Sequence, residues 1–170
     1  NSLAVTCHRL YHTMRVNFCA NVHILNGKSV ILHFNINILN RIMSCILNIE
    51  TSTAVCSVAV SNDGECIFNA EDHDGPNHAV KLGTFVDEAL SFADSHALPL
   101  DAVAVSCGPG SYTGLRIGVS MAKGVCYARN AKLLAVPTLQ LLCVPLLLRE
   151  QITPDDALLC PMLDARRMEV

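Results

Sequence analysis

Two short stretches hold the groups best suited to chemistry. The first is Glu50-Thr51-Ser52-Thr53, a carboxylate followed by three hydroxyls between two apolar runs. Oxygen donors of that kind suit a phosphate-bound hard cation. They also suit an ordinary turn, where Ser and Thr satisfy their own backbone. The second is Gly108-Pro109-Gly110, which follows the apolar run 102–107 and precedes a stretch of helical spacing. A glycine turn leading into a helix N-terminus leaves N–H groups free to meet an anion. It equally suits a tight strand-to-helix turn, and both readings stand. The Lys-Ser/Thr ending of a P-loop is absent, which excludes Walker-type chemistry.

Other reactive residues do not form a set. His73 lies in an acidic loop and His78 heads a helical segment, where a histidine is more often a cap or a surface residue than a ligand. No His, Cys, Asp and Glu group has metal-ligand spacing, so no metal is expected. No Ser or Cys has a recognisable base and orienting group. The nine cysteines include no Cys-x-x-Cys pair, and several sit inside apolar runs. They read as small buried hydrophobes of a reducing cytosol.

Two further strand-like runs surround the Glu50 turn, at 45–49 and 55–60, with a third at 65–70 after the Asn62-Asp63-Gly64 hairpin signal. Ala79, Leu82, Val86, Ala89, Leu90 and Ala93 recur at helical spacing up to His96, with Asn77 as a candidate N-cap. A strand over 100–106, a helix over 112–129, a strand over 132–136 and a helix over 138–150, broken or kinked at Pro145, follow. A further strand starts at Ala157 and runs to Leu163. The order β-β-β-α-β-α-β-α predicts a mixed α/β sheet, an antiparallel meander leading into parallel crossovers.

The long segment Gly108-Pro-Gly-Ser-Tyr-Thr-Gly-Leu-Arg-Ile-Gly-Val-Ser-Met-Ala-Lys-Gly124 resembles the signature of the TsaB (YeaZ) family of tRNA threonylcarbamoyladenosine biosynthesis proteins. Ile49 to Thr53, His78, Val136 to Leu139 and Asp164 to Val170 agree in order with the same family, so the resemblance runs from Met43 to Val170. It implies a ribonuclease-H-like half of an actin-like ATPase fold. In that fold the turn that corresponds to Glu50–Thr53 faces the nucleotide phosphates. It further implies a non-catalytic subunit of the complex that makes N6-threonylcarbamoyladenosine at position 37 of tRNA. Such a subunit binds the catalytic TsaD, joined by TsaE, meets tRNA only through the complex, and forms a homodimer when alone. No cofactor is required on this reading, with ATP or ADP held weakly or at a subunit interface as the open alternative. The catalytic relatives carry His-x-x-x-His where this chain has Thr138 and Leu142. The rival readings are an ATP-hydrolysing enzyme of the same fold and a peptidase.

A partner surface is expected on the stripe of Gly114, Gly118 and Ala122, which share one helix face, with His78 and Leu82 as second contributors. Residues 1–43 carry Arg9, Arg15, Lys28 and Arg41 and no acid, whereas residues 44–170 carry eight cations against fifteen acids. Residues 1–42 therefore read as a non-native or disordered extension, 43–156 as the actin-like domain and 157–170 as the start of a second. The acidic domain suits protein binding better than nucleic acid. No apolar run reaches the ~20 residues that cross a bilayer, and a cytoplasmic protein is expected.

Overall fold

The computed structural model describes residues 44–73, 78–148 and 160–164. In chain order the elements are β1 (Cys45–Glu50), β2 (Cys56–Asn62), β3 (Glu65–Asp72), α1 (His78–Ser95), β4 (Leu100–Ser106), α2 (Tyr112–Arg129), β5 (Lys132–Val136) and α3 (Thr138–Leu148). The five strands form one sheet in the order β3-β2-β1-β4-β5. β1 pairs antiparallel with β2, and β2 with β3, while β1–β4 and β4–β5 are parallel. With its flanking helices this is the ribonuclease-H-like arrangement of an actin-like half.

Hydropathy sets the strand order. β1 and β4 are buried along almost their whole length, as befits central strands covered on both faces. β3 carries Glu65, Asn69 and Glu71 and lies at an edge, partly exposed, where charge discourages further pairing. The β2–β3 hairpin turns on Asp63 and Gly64, at φ 47° and 102°. Both positive values belong to the two-residue turns that match strand twist, and Gly64 adopts its value without a Cβ clash.

Strand periodicity then divides the side chains between two layers. Cys45, Leu47, Ile49, Val58, Val60, Val103 and Val105 meet Leu82, Val86 and Ala89 of α1 and Ala122 and Val125 of α2 in the main core. The opposite face carries a smaller cluster, in which Ala104 and Val136 pack with Leu141 of α3. Two buried thiols in the main core, Cys45 and Cys56, are pushed up to about 11, by desolvation first and then by the nearby Asp101 and Asp72 carboxylates respectively. The unfolded chain ionises these thiols near 9, so the stability they contribute is intact below that pH and is lost as pH rises towards 11. A melting temperature that declines over this window, less steeply in Cys45→Ala, is the expected result. An identical decline in the variant would contradict it.

α1 and α2 are clipped at their C-terminal ends. Arg129 donates to both Asp94 oxygens, at 2.6 and 2.8 Å, and the guanidinium's hydrogen bonds hold the exposed carboxyl below its ordinary range. α2 ends on Asn130 in the left-handed conformation, with Arg129 in its last turn.

The elements expected from periodicity form with small shifts in their bounds, except one. Cys160–Leu163 carry no strand pairing. Pro161 has no N–H to give a ladder, so an apolar run there is insufficient. The Asn77 cap, the extension over 1–42, Glu150 and the bulk of 157–170 lie outside the described residues.

Candidate functional site

β1, β4 and β5 are parallel, so their carboxyl ends open on the same edge of the sheet. The order reverses beside β1, which makes this edge the topological switch point where open α/β sheets bind ligands. The Glu50–Thr53 turn, the Gly108–Ser111 loop and the first turns of α2 and α3 meet here.

The contacts are specific. Glu50, only 4% exposed, accepts through one carboxylate oxygen from the Ser52 N–H (2.7 Å) and the Ser106 hydroxyl (2.8 Å). That carboxylate therefore ties the end of β1 to the end of β4. The Thr51 hydroxyl donates to the Gly114 carbonyl on α2 (2.8 Å). Ser111 gives its N–H to the Ser52 carbonyl (2.7 Å), while its side chain caps α2 by accepting from the Gly114 N–H. Thr138 donates its N–H to the Gly108 carbonyl (2.9 Å), fixing α3 to the same loop.

Gly108 is at φ 110°, which a side chain would strain, and its peptide bond to Pro109 is cis. At Gly110 the requirement is space, because a Cβ would stand 2.5 Å from the Ser52 carbonyl oxygen. The two loops expected to face phosphates thus close directly on each other. There is no gap between Ser52 and Gly110 for a phosphate group. Glu50 and Thr51 are committed to the chain itself, Ser52 is buried, and Thr53 is exposed. The hydroxyls of Ser52 and Thr138 are buried without a partner. The arrangement is a brace between strand ends and helix starts.

The same geometry corrects the expected partner surface. Gly114, Gly118 and Ala122 are buried on the inner face of α2. A methyl group at Gly114 would overlap the Thr51 carbonyl, and one at Gly118 the Thr51 hydroxyl. The stripe exists so that α2 can sit on the β1 turn, and no partner reaches it. Leu82 is also fully buried in the main core. His78 starts α1, and its side chain lies outside what the structure describes.

The outward faces of α1 and α2 form a groove of about 750 Å³ instead, lined by Gly83, Val86, Leu90, Ile117, Met121 and Gly124 among others. A Cβ built on Gly83 or Gly124 meets nothing within 4 Å. Sequence reasoning missed this groove, although both glycines were visible inside helical periods.

The family model described as TsaD, tRNA N6-adenosine threonylcarbamoyltransferase, matches residues 74–170. Relatives include the tRNA threonylcarbamoyladenosine biosynthesis protein TsaB of Escherichia coli, 36% identical over 95 residues, which are 55% of this chain and 40% of the relative. TsaB of Bacillus subtilis is 32% identical over 125 residues, 74% of this chain and 52% of the relative. This chain is a member of the TsaB family. A solved Pseudomonas aeruginosa protein, described as similar to the peptidase YeaZ, superposes with a TM-score of 0.52 at 31% identity. It aligns over 64% of this chain and 49% of its own. The chain spans about half the length of the TsaB proteins it matches.

Among the described residues no three of His, Cys, Asp and Glu converge as metal ligands, and no helix is long and apolar enough to cross a membrane. Exposed Cys107 lies beside the brace, whereas Cys45 and Cys56 are buried. Brief treatment of native protein with iodoacetamide is expected to label Cys107 and to spare Cys45 and Cys56. Labelling of all three at equal rates would contradict the burial.

Proposed function

We propose that this TsaB-family protein supports N6-threonylcarbamoyladenosine formation on tRNA as a non-catalytic subunit. It binds and stabilises TsaD, which performs the transfer, and TsaE completes the assembly beside tRNA in the cytoplasm. The observation that carries this reading is the first turn of α3. Thr138 and Leu142 stand there, where the resemblance places two histidines in catalytic relatives. Thr138 is 3% exposed and sits under the Gly108 loop, so the position serves packing. A threonine and a leucine cannot hold the metal that the histidines would.

The groove between α1 and α2 is the surface that suits TsaD. Its walls are apolar, its rim carries Asp87 and Arg116, and a helix of the partner could lie between two helices packed at ordinary separation. The names of the TsaB relatives and the TsaD family match support this choice of partner. Depleting the protein in its own cells is expected to lower N6-threonylcarbamoyladenosine in digests of bulk tRNA, and re-expression to restore it. An unchanged nucleoside level would overturn the reading.

A further inference from the structure

The outer crest of α2 carries a pattern that the brace does not use and that meets the groove only at Arg116 and Ser120. Tyr112, Arg116, Ser120, Lys123 and Tyr127 follow one another at intervals of four, four, three and four, and all are exposed. At about 100° per residue they fall within an arc of roughly 80°. They lie roughly opposite Gly114, Gly118, Ala122 and Val125, which face the core. The crest is about 22 Å long at 1.5 Å per residue. Tyr127 is 93% exposed and Tyr112 is 69% exposed. The Arg116 guanidinium lies 4.3 Å from the centre of the Tyr112 ring, in cation–π range.

Charge is segregated around this crest. The stretch 102–148 contains no Asp or Glu but holds Arg116, Lys123, Arg129 and Lys132. The acids that make the domain negative lie elsewhere, with Asp87, Glu88 and Asp94 on α1. Asp94 is already engaged by Arg129. Asp87 borders the groove and would repel a polyanion on that flank.

We propose that the crest of α2 is a direct contact surface for RNA, with unstacked loop bases on the tyrosine rings and phosphates on Arg116 and Lys123. Single-stranded loops are the RNA elements whose bases can stack on aromatic side chains. Tyrosines and an arginine also suit a protein interface, and it is the two crest cations on an acid-free stretch that favour RNA. The groove's aliphatic lining adjoins the crest, and Arg116 and Ser120 border both surfaces, while Lys123 and Tyr127 lie off the groove. The proposal rests on the tRNA-modification reading only for its choice of probe, a fluorescein-labelled tRNA anticodon stem-loop.

Fluorescence anisotropy with the full chain tests it. Tyr127→Ala and Lys123→Glu lie off the groove, so neither is expected to change TsaD binding, and circular dichroism is expected to show an unchanged fold. Tyr127→Ala is expected to weaken RNA binding roughly tenfold, the scale of one lost base stack. Lys123→Glu is expected to lower the salt dependence by the equivalent of about one phosphate contact or more. Wild-type protein that fails to bind the stem-loop, or variants that bind it as wild type does, would overturn the proposal. Loss of TsaD binding by the variants with no RNA binding in wild type would overturn it too, leaving the TsaD reading in place and enlarging its surface. RNA binding that persists in a protein without effect on tRNA modification would support the crest and sink the broader function.

Discussion

Gly118→Leu is expected to destabilise this domain by about 2–4 kcal/mol. The position lies mid-helix on α2, and its missing side chain is occupied by Thr51. A leucine there must displace the Thr51 side chain or lift α2 from the sheet. Lifting the helix would break the Thr51–Gly114 hydrogen bond and open the packing of Ala122 and Val125 on the strands. Overpacking alone costs about 1–3 kcal/mol, and the lost bond adds roughly 1 kcal/mol. Together they are a large fraction of the roughly 5–15 kcal/mol that holds a domain folded. Gly124→Leu is the matched control, on the same helix with open space around its Cβ. It is expected to leave the fold intact and to gain about 1 kcal/mol of helix propensity. Thermal melts of the two variants decide the matter. Equal stabilities would mean that α2 does not sit on the β1 turn as described.

Glu50→Ala has the second largest expected effect. Its carboxylate receives the Ser52 N–H and the Ser106 hydroxyl in a buried place. Alanine leaves two buried donors without partners, at about 1–3 kcal/mol each. A loss of about 3 kcal/mol is therefore expected in denaturant unfolding. Glu50→Gln retains an acceptor at the same reach and is expected to lose less, since neutral acceptors are weaker than charged ones. Adding ATP with magnesium is expected to restore neither variant, because the brace leaves no gap for phosphate between Ser52 and Gly110. A stability for Glu50→Ala equal to wild type would show that the carboxylate does not join the strands, and rescue by nucleotide would show that it serves a ligand.

Much of the fold was legible because its signals are local. The Asp63-Gly64 turn, the apolar runs of β1 and β4 and the period of Leu82, Val86, Ala89 and Ala93 each point to one element without help from distant residues. The strand expected at Ala157 to Leu163 does not form over its described residues, where the signal is composition alone and Pro161 has no N–H to give a ladder. The site was harder to read, since its contacts join residues far apart in sequence. Thr51 and Gly114 are 63 positions apart, and Glu50 and Ser106 are 56 apart.

Gly114 and Gly118 did announce a close approach. Spacing gives the angle between residues on a helix but not which side the sheet lies on. The bulkier set around Leu115, Val119 and Met121 drew the core to the wrong side in the sequence reading. Val119 and Met121 pack at its margins, while the small residues admit Thr51. The net negative charge hid the positive crest in the same way, because a sum over residues carries no positions.

The most direct test of the account is calorimetric titration of the full chain with TsaD from the same source, for wild type, Gly124→Trp and Tyr127→Ala. Wild type is expected to form an equimolar complex. Gly124→Trp puts an indole into the groove from a position whose Cβ meets nothing within 4 Å, and is expected to weaken that complex at least tenfold while the domain stays folded. Tyr127→Ala is expected to bind TsaD as wild type does. An absence of heat with wild type, or full affinity in Gly124→Trp, would contradict the claim that this protein supports TsaD through the α1–α2 groove.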